Sequence, residues 1–219
     1  MNIKKVMLKT SILAAIALMC FNCTSNEVEN SDLREEALDF ESYKIDFGKS
    51  FIDLSKDNRF KDLTQEEILK ILDHYSPGEV NTAKANCSNC VHHVRGFDNR
   101  LMPVDSGCPV TYKWTNTGCL GGKKKLINTC TPSVGSAVIM DTGITEGHVA
   151  YVQSVVLINP NPPQYAIKIN EGNRPSGTCR TIWISSTDSE VLGYQNPNIG
   201  INCSNTPFYT CSAPFSSCN

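Results

Sequence analysis

Cys90, His148, Glu171 and Asn173 are the residues of this chain whose types and spacing could carry a reaction. His148 enters one apolar run, GHVAYVQSVV, and Glu171 and Asn173 leave the next, QYAIKINEGN. A histidine beside a carboxylate and an amide is a general base with its orienting groups. Such a base needs a nucleophile, and Cys90 in CSNCVHHVR offers one. Val91 and Val94 have the i, i+3 spacing of a short buried helix starting near Cys90. A cysteine at a helix start gains from the helix dipole, which favours thiolate over thiol. Thiolate and imidazole together can open an amide through a thioester. The plainer reading is a histidine and a glutamate that happen to stand at strand ends.

These side chains meet only if the right elements present them. His148–Leu157 and Gln164–Ile169 are rich in Val, Ile and Tyr and flank the Pro/Asn cluster Asn159–Pro163. Bounded runs of this kind read as strands, and the short connection makes them an antiparallel hairpin. A turn centred near 160–161 sets His148 opposite residue 173 or 174. With residue 173 as the partner, His148, Glu171 and Asn173 share one face by the strand's period of two. PSVGSAVIMD, from Pro132, reads as a turn and a strand, and RTIWIS, from Arg180, as another strand. Thr64–Tyr75 is a helix: Thr64 and Glu67 form a capping box, and Leu69, Ile71 and Leu72 give it an apolar face. Leu33–Leu54 is also read as helical. The expected class is α+β.

The chain has 219 residues, enough for one globular domain with additions. Its net charge of −2 names no partner, and no nucleic acid is expected. The charges are uneven: residues 24–82 carry 15 acidic and 7 basic side chains, residues 83–219 carry 7 and 10. The split points to a boundary near residue 82 and a weakly basic second half suited to an anionic polymer. Residues 1–23 look like an export signal, with Lys4, Lys5 and Lys9 before the apolar Ile12–Met19, which is too short to span a bilayer. Cys23 follows, then an acidic, polar stretch, as in a bacterial lipoprotein signal. That resemblance implies lipidation at Cys23, with Cys20 as the competing position, and a membrane anchor facing the periplasm or cell surface. The expected organisation is a signal (1–23), an acidic tether and helical arm (24–82), a catalytic domain (83–185) and a cysteine-rich tail stapled rather than packed (186–219). The arm is expected to pack on the domain as a spacer; a pro-segment over the active site is the alternative.

Taken in order, Cys90 in NCVHHVR, the Pro132-x-x-Gly135 turn of PSVGSAVIM, His148 in GHVAYV, and Glu171 and Asn173 in INEGN form a series. The series resembles the CHAP family, the cysteine, histidine-dependent amidohydrolases/peptidases of bacterial cell-wall hydrolases. It spans about residues 83–185. Ser136 stands where that family usually has Asp, and Asn89 where it often has Gln. The resemblance implies a papain-like fold, with a helix carrying the cysteine packed on an antiparallel sheet carrying the histidine. It also implies Cys90 as nucleophile, His148 as base, Glu171 and Asn173 as orienting residues, and peptidoglycan as substrate, cut as an amidase or endopeptidase.

Other readings remain. Cys87 and Cys90 form a CxxC, which can be redox-active, and a thiol–disulfide oxidoreductase would use it. A catalytically silent, disulfide-stapled binding module would keep the fold and lose the reaction. No second CxxC or histidine pair has zinc-finger spacing, so neither metal nor cofactor is expected. The 11 cysteines point to an oxidising compartment. Without Cys20 and Cys23 an odd number is left, and Cys90 is the one expected to stay outside the disulfides, bonded to neither Cys87 nor any other. Oligomeric state is not legible.

Overall fold

The computed structural model describes residues 38–81, 87–103, 126–143 and 147–200. Residues 1–37 with Cys20 and Cys23, residues 104–125 with Cys108 and Cys119, and Cys203, Cys211 and Cys218 lie outside the described residues. The described residues, which begin at Leu38, belong to one compact unit. It is α+β. In chain order the elements are β1 (Phe51–Asp53), α1 (Gln65–Tyr75), β2 (Glu79–Asn81), α2 (Cys90–Arg95), β3 (Ala137–Met140), β4 (His148–Pro160), β5 (Pro163–Gly172), β6 (Cys179–Ser185) and β7 (Val191–Gln195). All seven strands join one sheet in the order β2-β6-β5-β4-β3-β7, and β1 pairs with β4 off that path. Every pairing is antiparallel except β1 with β4.

The hairpin β4–β5 is the spine. It turns between Pro160 and Pro163, one position later than the sequence reading placed the centre. Two bulges in β4, between Leu157 and Asn159 and between Val152 and Ser154, then bring Ala150 opposite Glu171. Each bulge shifts the register by one residue, and a one-residue shift exchanges the faces. Because there are two, the original face is restored. His148 and Glu171 therefore end on the same side, one step apart.

Both helices pack on one face. In α1, Thr64 accepts a hydrogen bond from the Glu67 amide while its own amide donates to the Glu67 carboxylate, so the capping box forms as expected. Ile68, Ile71 and Leu72 are fully buried against Val156, Ala166 and Trp183 of the sheet. Burying such a side chain contributes about 1.5–3 kcal/mol each. Trp183 Nε1 and Lys168 Nζ donate to the Ser76 carbonyl and fix the helix end to β5 and β6.

Three expectations change here. Residues 38–54 are not a helix but a single 3-10 turn, Phe40–Tyr43, followed by β1. The Asp46 carboxylate accepts from the Gly48 amide, a local turn that competes with helix. Nor does a domain boundary fall at residue 82: β1 and β2 are strands of the sheet, and α1 shares its core. The described part of the acidic arm, residues 38–81, belongs to the domain. Finally, the sheet does not stop at residue 185. Val191–Gln195 is a buried strand beside β3 that carries the fully buried Tyr194. Gly193 inside so short a run disguised it, since glycine weakens a strand reading.

Candidate active site

Asn89 caps α2: its Oδ1 accepts from the amides of Val91 (3.0 Å) and His92 (3.1 Å). Val91 and Val94 seat the helix in a core with Leu101, Met102, Ile139 and Val149. This leaves Cys90, the first helical residue, half-buried at the end of the sheet, with its thiol outside any disulfide. Three residues earlier, Cys87 is bonded to Cys179, the first residue of β6, across a separation of 92 positions. The two cysteines of the CxxC are thus not bonded to each other. Cys130 is also disulfide-bonded. The Cys87–Cys179 link ties the approach to the nucleophile directly to the strand that carries Arg180. Replacing both cysteines with Ser should lower the unfolding free energy by about 2–5 kcal/mol. A melting temperature unchanged by that pair of substitutions would contradict this.

His148 is the first residue of β4, paired with Met140. Gly147 delivers it with φ at +59°, and a Cβ there would stand 2.9 Å from the Met140 carbonyl oxygen. Only glycine meets both conditions. The imidazole is 4 % exposed, and its Nε2 lies 2.7 Å from Oε2 of Glu171, whose side chain is fully buried. The contact is close but not in line, so charge carries it more than direction. The Cys90 thiol also contacts the imidazole. With Nε2 turned to Glu171, Nδ1 is the nitrogen left for the thiol.

Glu171 has a second partner that sequence reasoning missed. Arg180 stands directly opposite it in β6, and its Nε donates to Oε1 at 2.5 Å. A signal existed: with only residues 173–178 between β5 and β6, counting across the connection sets 171 against 180. The order Cys90, His148, Glu171, Arg180 is therefore an unbroken series of contacts. A carboxylate buried this deeply is tolerable because Arg180 donates to one oxygen and the His148 imidazole stands 2.7 Å from the other.

Burial works against a charged imidazole, but the contacts with Cys90 and Glu171 outweigh it and hold the His148 pKa above the ordinary 6.5. Burial also penalises the Glu171 carboxylate, yet His148 and Arg180 hold its pKa below the ordinary value. The signs follow by linkage. The His148 contribution to stability is present below the ordinary histidine range and is lost as pH rises through the raised value. That of Glu171 is present above the ordinary carboxylate range and is lost as pH falls through the lowered value.

Asn173 does not join this group, which corrects its expected place beside the imidazole. The β5 ladder ends at Gly172, and Asn173 turns away with φ at +68°. It is exposed, and its Oδ1 accepts from the Gly177 amide at 3.0 Å to close the β5–β6 turn. His92 is exposed. His93 is a satisfied core histidine. It is buried beneath α2, its Nε2 donating to Asn170 Oδ1 at 2.6 Å and its Nδ1 3.4 Å from Cys179 Sγ. Ser136 is buried and donates to the Ser133 carbonyl, a turn contact rather than a site contact. Among the described residues no cluster of His, Cys, Asp and Glu could hold a metal ion. No family model, curated protein or solved structure matches this chain.

Proposed function

We propose that the chain is an exported, cysteine-dependent hydrolase that opens an amide bond of peptidoglycan, built on a papain-like arrangement of the CHAP kind. The observation that carries this reading is the contact series from a half-buried thiol through a buried histidine to a fully buried carboxylate. His148 takes the Cys90 proton, giving a thiolate–imidazolium pair. The thiolate attacks the amide carbonyl, and the Cys90 backbone N–H at the start of α2 is the candidate oxyanion donor. His148 then gives its proton to the leaving amine. Water, deprotonated by the same imidazole, hydrolyses the thioester and restores the thiol. Glu171 stabilises the imidazolium throughout. Peptidoglycan as the substrate rests on the resemblance of the four motifs, and the bond is either the N-acetylmuramoyl–L-alanine amide or one within the peptides.

A second reading keeps the fold without the reaction: a disulfide-stapled surface module that binds its ligand. The Cys87–Cys179 bond suits this reading too. Digestion of purified peptidoglycan in a gel separates the two. The hydrolase predicts clearing by the wild type and none by Cys90→Ala; absence of clearing by both, with retained binding, would leave the module. The anchor is tested separately. Cys23→Ser should move the protein to the soluble fraction, and continued membrane association would point to Cys20 or to no lipid.

A further inference from the structure

We propose that Arg180 is a positioning residue of this site, which holds one oxygen of Glu171 so that the other faces His148 and offsets the carboxylate's charge, leaving the imidazole able to release the proton it takes from Cys90. The proposal rests on the reading of Cys90 and His148 as nucleophile and base. Three observations carry it. Glu171 is fully buried, so its charge is felt at short range with little solvent screening. Its two oxygens are divided, Oε2 to His148 at 2.7 Å and Oε1 to Arg180 at 2.5 Å. Arg180 is also its directly opposed cross-strand residue, so the contact is built by the register of the sheet rather than by a flexible side chain alone.

The chemistry explains why such a residue is useful. A bare buried carboxylate against an imidazole stabilises the imidazolium strongly. An imidazolium bound too tightly is a good partner for the thiolate but a poor acid for the leaving amine. A guanidinium on the far side of the carboxylate moderates this. It also keeps Glu171 ionised, because burial alone would favour the neutral acid. Among the described residues, two titratable groups act on His148. Cys90 faces it from α2 and Glu171 from β5. Beyond Glu171, Arg174 feels that carboxylate from the connection after β5, but its own guanidinium is bound by both oxygens of Glu190. The paired strand β3, Ala137–Met140, carries no titratable side chain.

The test is the titration of the His148 imidazole by NMR in a Cys90→Ala background of the exported chain, with the His148 signals assigned by their loss in His148→Asn. This readout needs no turnover, so it holds or fails independently of whether the chain hydrolyses peptidoglycan. Arg180→Gln should raise the His148 titration midpoint by on the order of one pH unit, since the charge of the carboxylate facing the imidazole is then no longer offset. Arg180→Lys, which keeps the charge, should restore it to near the parent value. In a Glu171→Gln background the effect of Arg180→Gln should vanish, because Arg180 acts through the carboxylate. That double variant buries no stranded charge and serves if Arg180→Gln alone does not fold. An unchanged or lowered midpoint in Arg180→Gln, or an undiminished shift in the Glu171→Gln background, would overturn the proposal.

Discussion

His148→Ala should lower the rate of the proposed amide hydrolysis by about 10⁴-fold, the upper range for losing a general acid–base. A loss of that size is expected because one imidazole serves three steps of the proposed mechanism: activating the thiol, protonating the leaving amine and deprotonating the attacking water. The fold should survive. Glu171 keeps Arg180 as a partner when the imidazole is removed, so no carboxylate is stranded. His148 also begins its strand rather than crossing the core. The rate is measured on purified peptidoglycan, with a thermal melt as the check on folding. Wild-type-like turnover in a folded His148→Ala protein would rule out the mechanism.

Glu171→Gln has the second largest expected effect, about 10²–10³-fold on kcat/KM, less than loss of the base itself. It also moves the pH profile. In the wild type the contacts with Cys90 and Glu171 hold the His148 pKa above 6.5, so the alkaline limb that the proposed mechanism assigns to the imidazolium should lie above that value. Removing the carboxylate charge withdraws one of these supports, and the alkaline limb should move to lower pH. Stability should fall as well, because Arg180 loses its counter-charge at a buried site. Asn173→Ala, by contrast, touches only the turn between β5 and β6 and should leave the profile in place. A silent Glu171→Gln together with an inactive Asn173→Ala would assign the orienting role to Asn173.

The hairpin and the meeting of His148 with Glu171 were legible because β-branched runs, a Pro/Asn turn and period-two alternation act locally. Even so, the sequence reading reached the right register at His148 by a different route. It placed the turn one residue early and saw neither bulge in β4, and the two differences cancel. Asn173 shows the limit of alternation, which holds only while the ladder lasts; a left-handed residue ends it. Arg180 depends on a third strand, so it emerges only once β6 is registered against β5. The acidic arm misled for another reason. Charge composition describes the solvent face of Gln65–Tyr75, whereas Ile68, Ile71 and Leu72 decide where that helix packs. β7 was lost because its burial is set by β3, its neighbour in the sheet but far from it in the chain.

Mass spectrometry of the fragments released from peptidoglycan in ¹⁸O-labelled water tests the central claim most directly. A thioester on Cys90 cleared by water predicts an opened amide whose new carboxyl group carries a single ¹⁸O atom, produced by the wild type and not by Cys90→Ala. Fragments with every amide intact, or the same opened amide appearing at equal rate with Cys90→Ala, would contradict it.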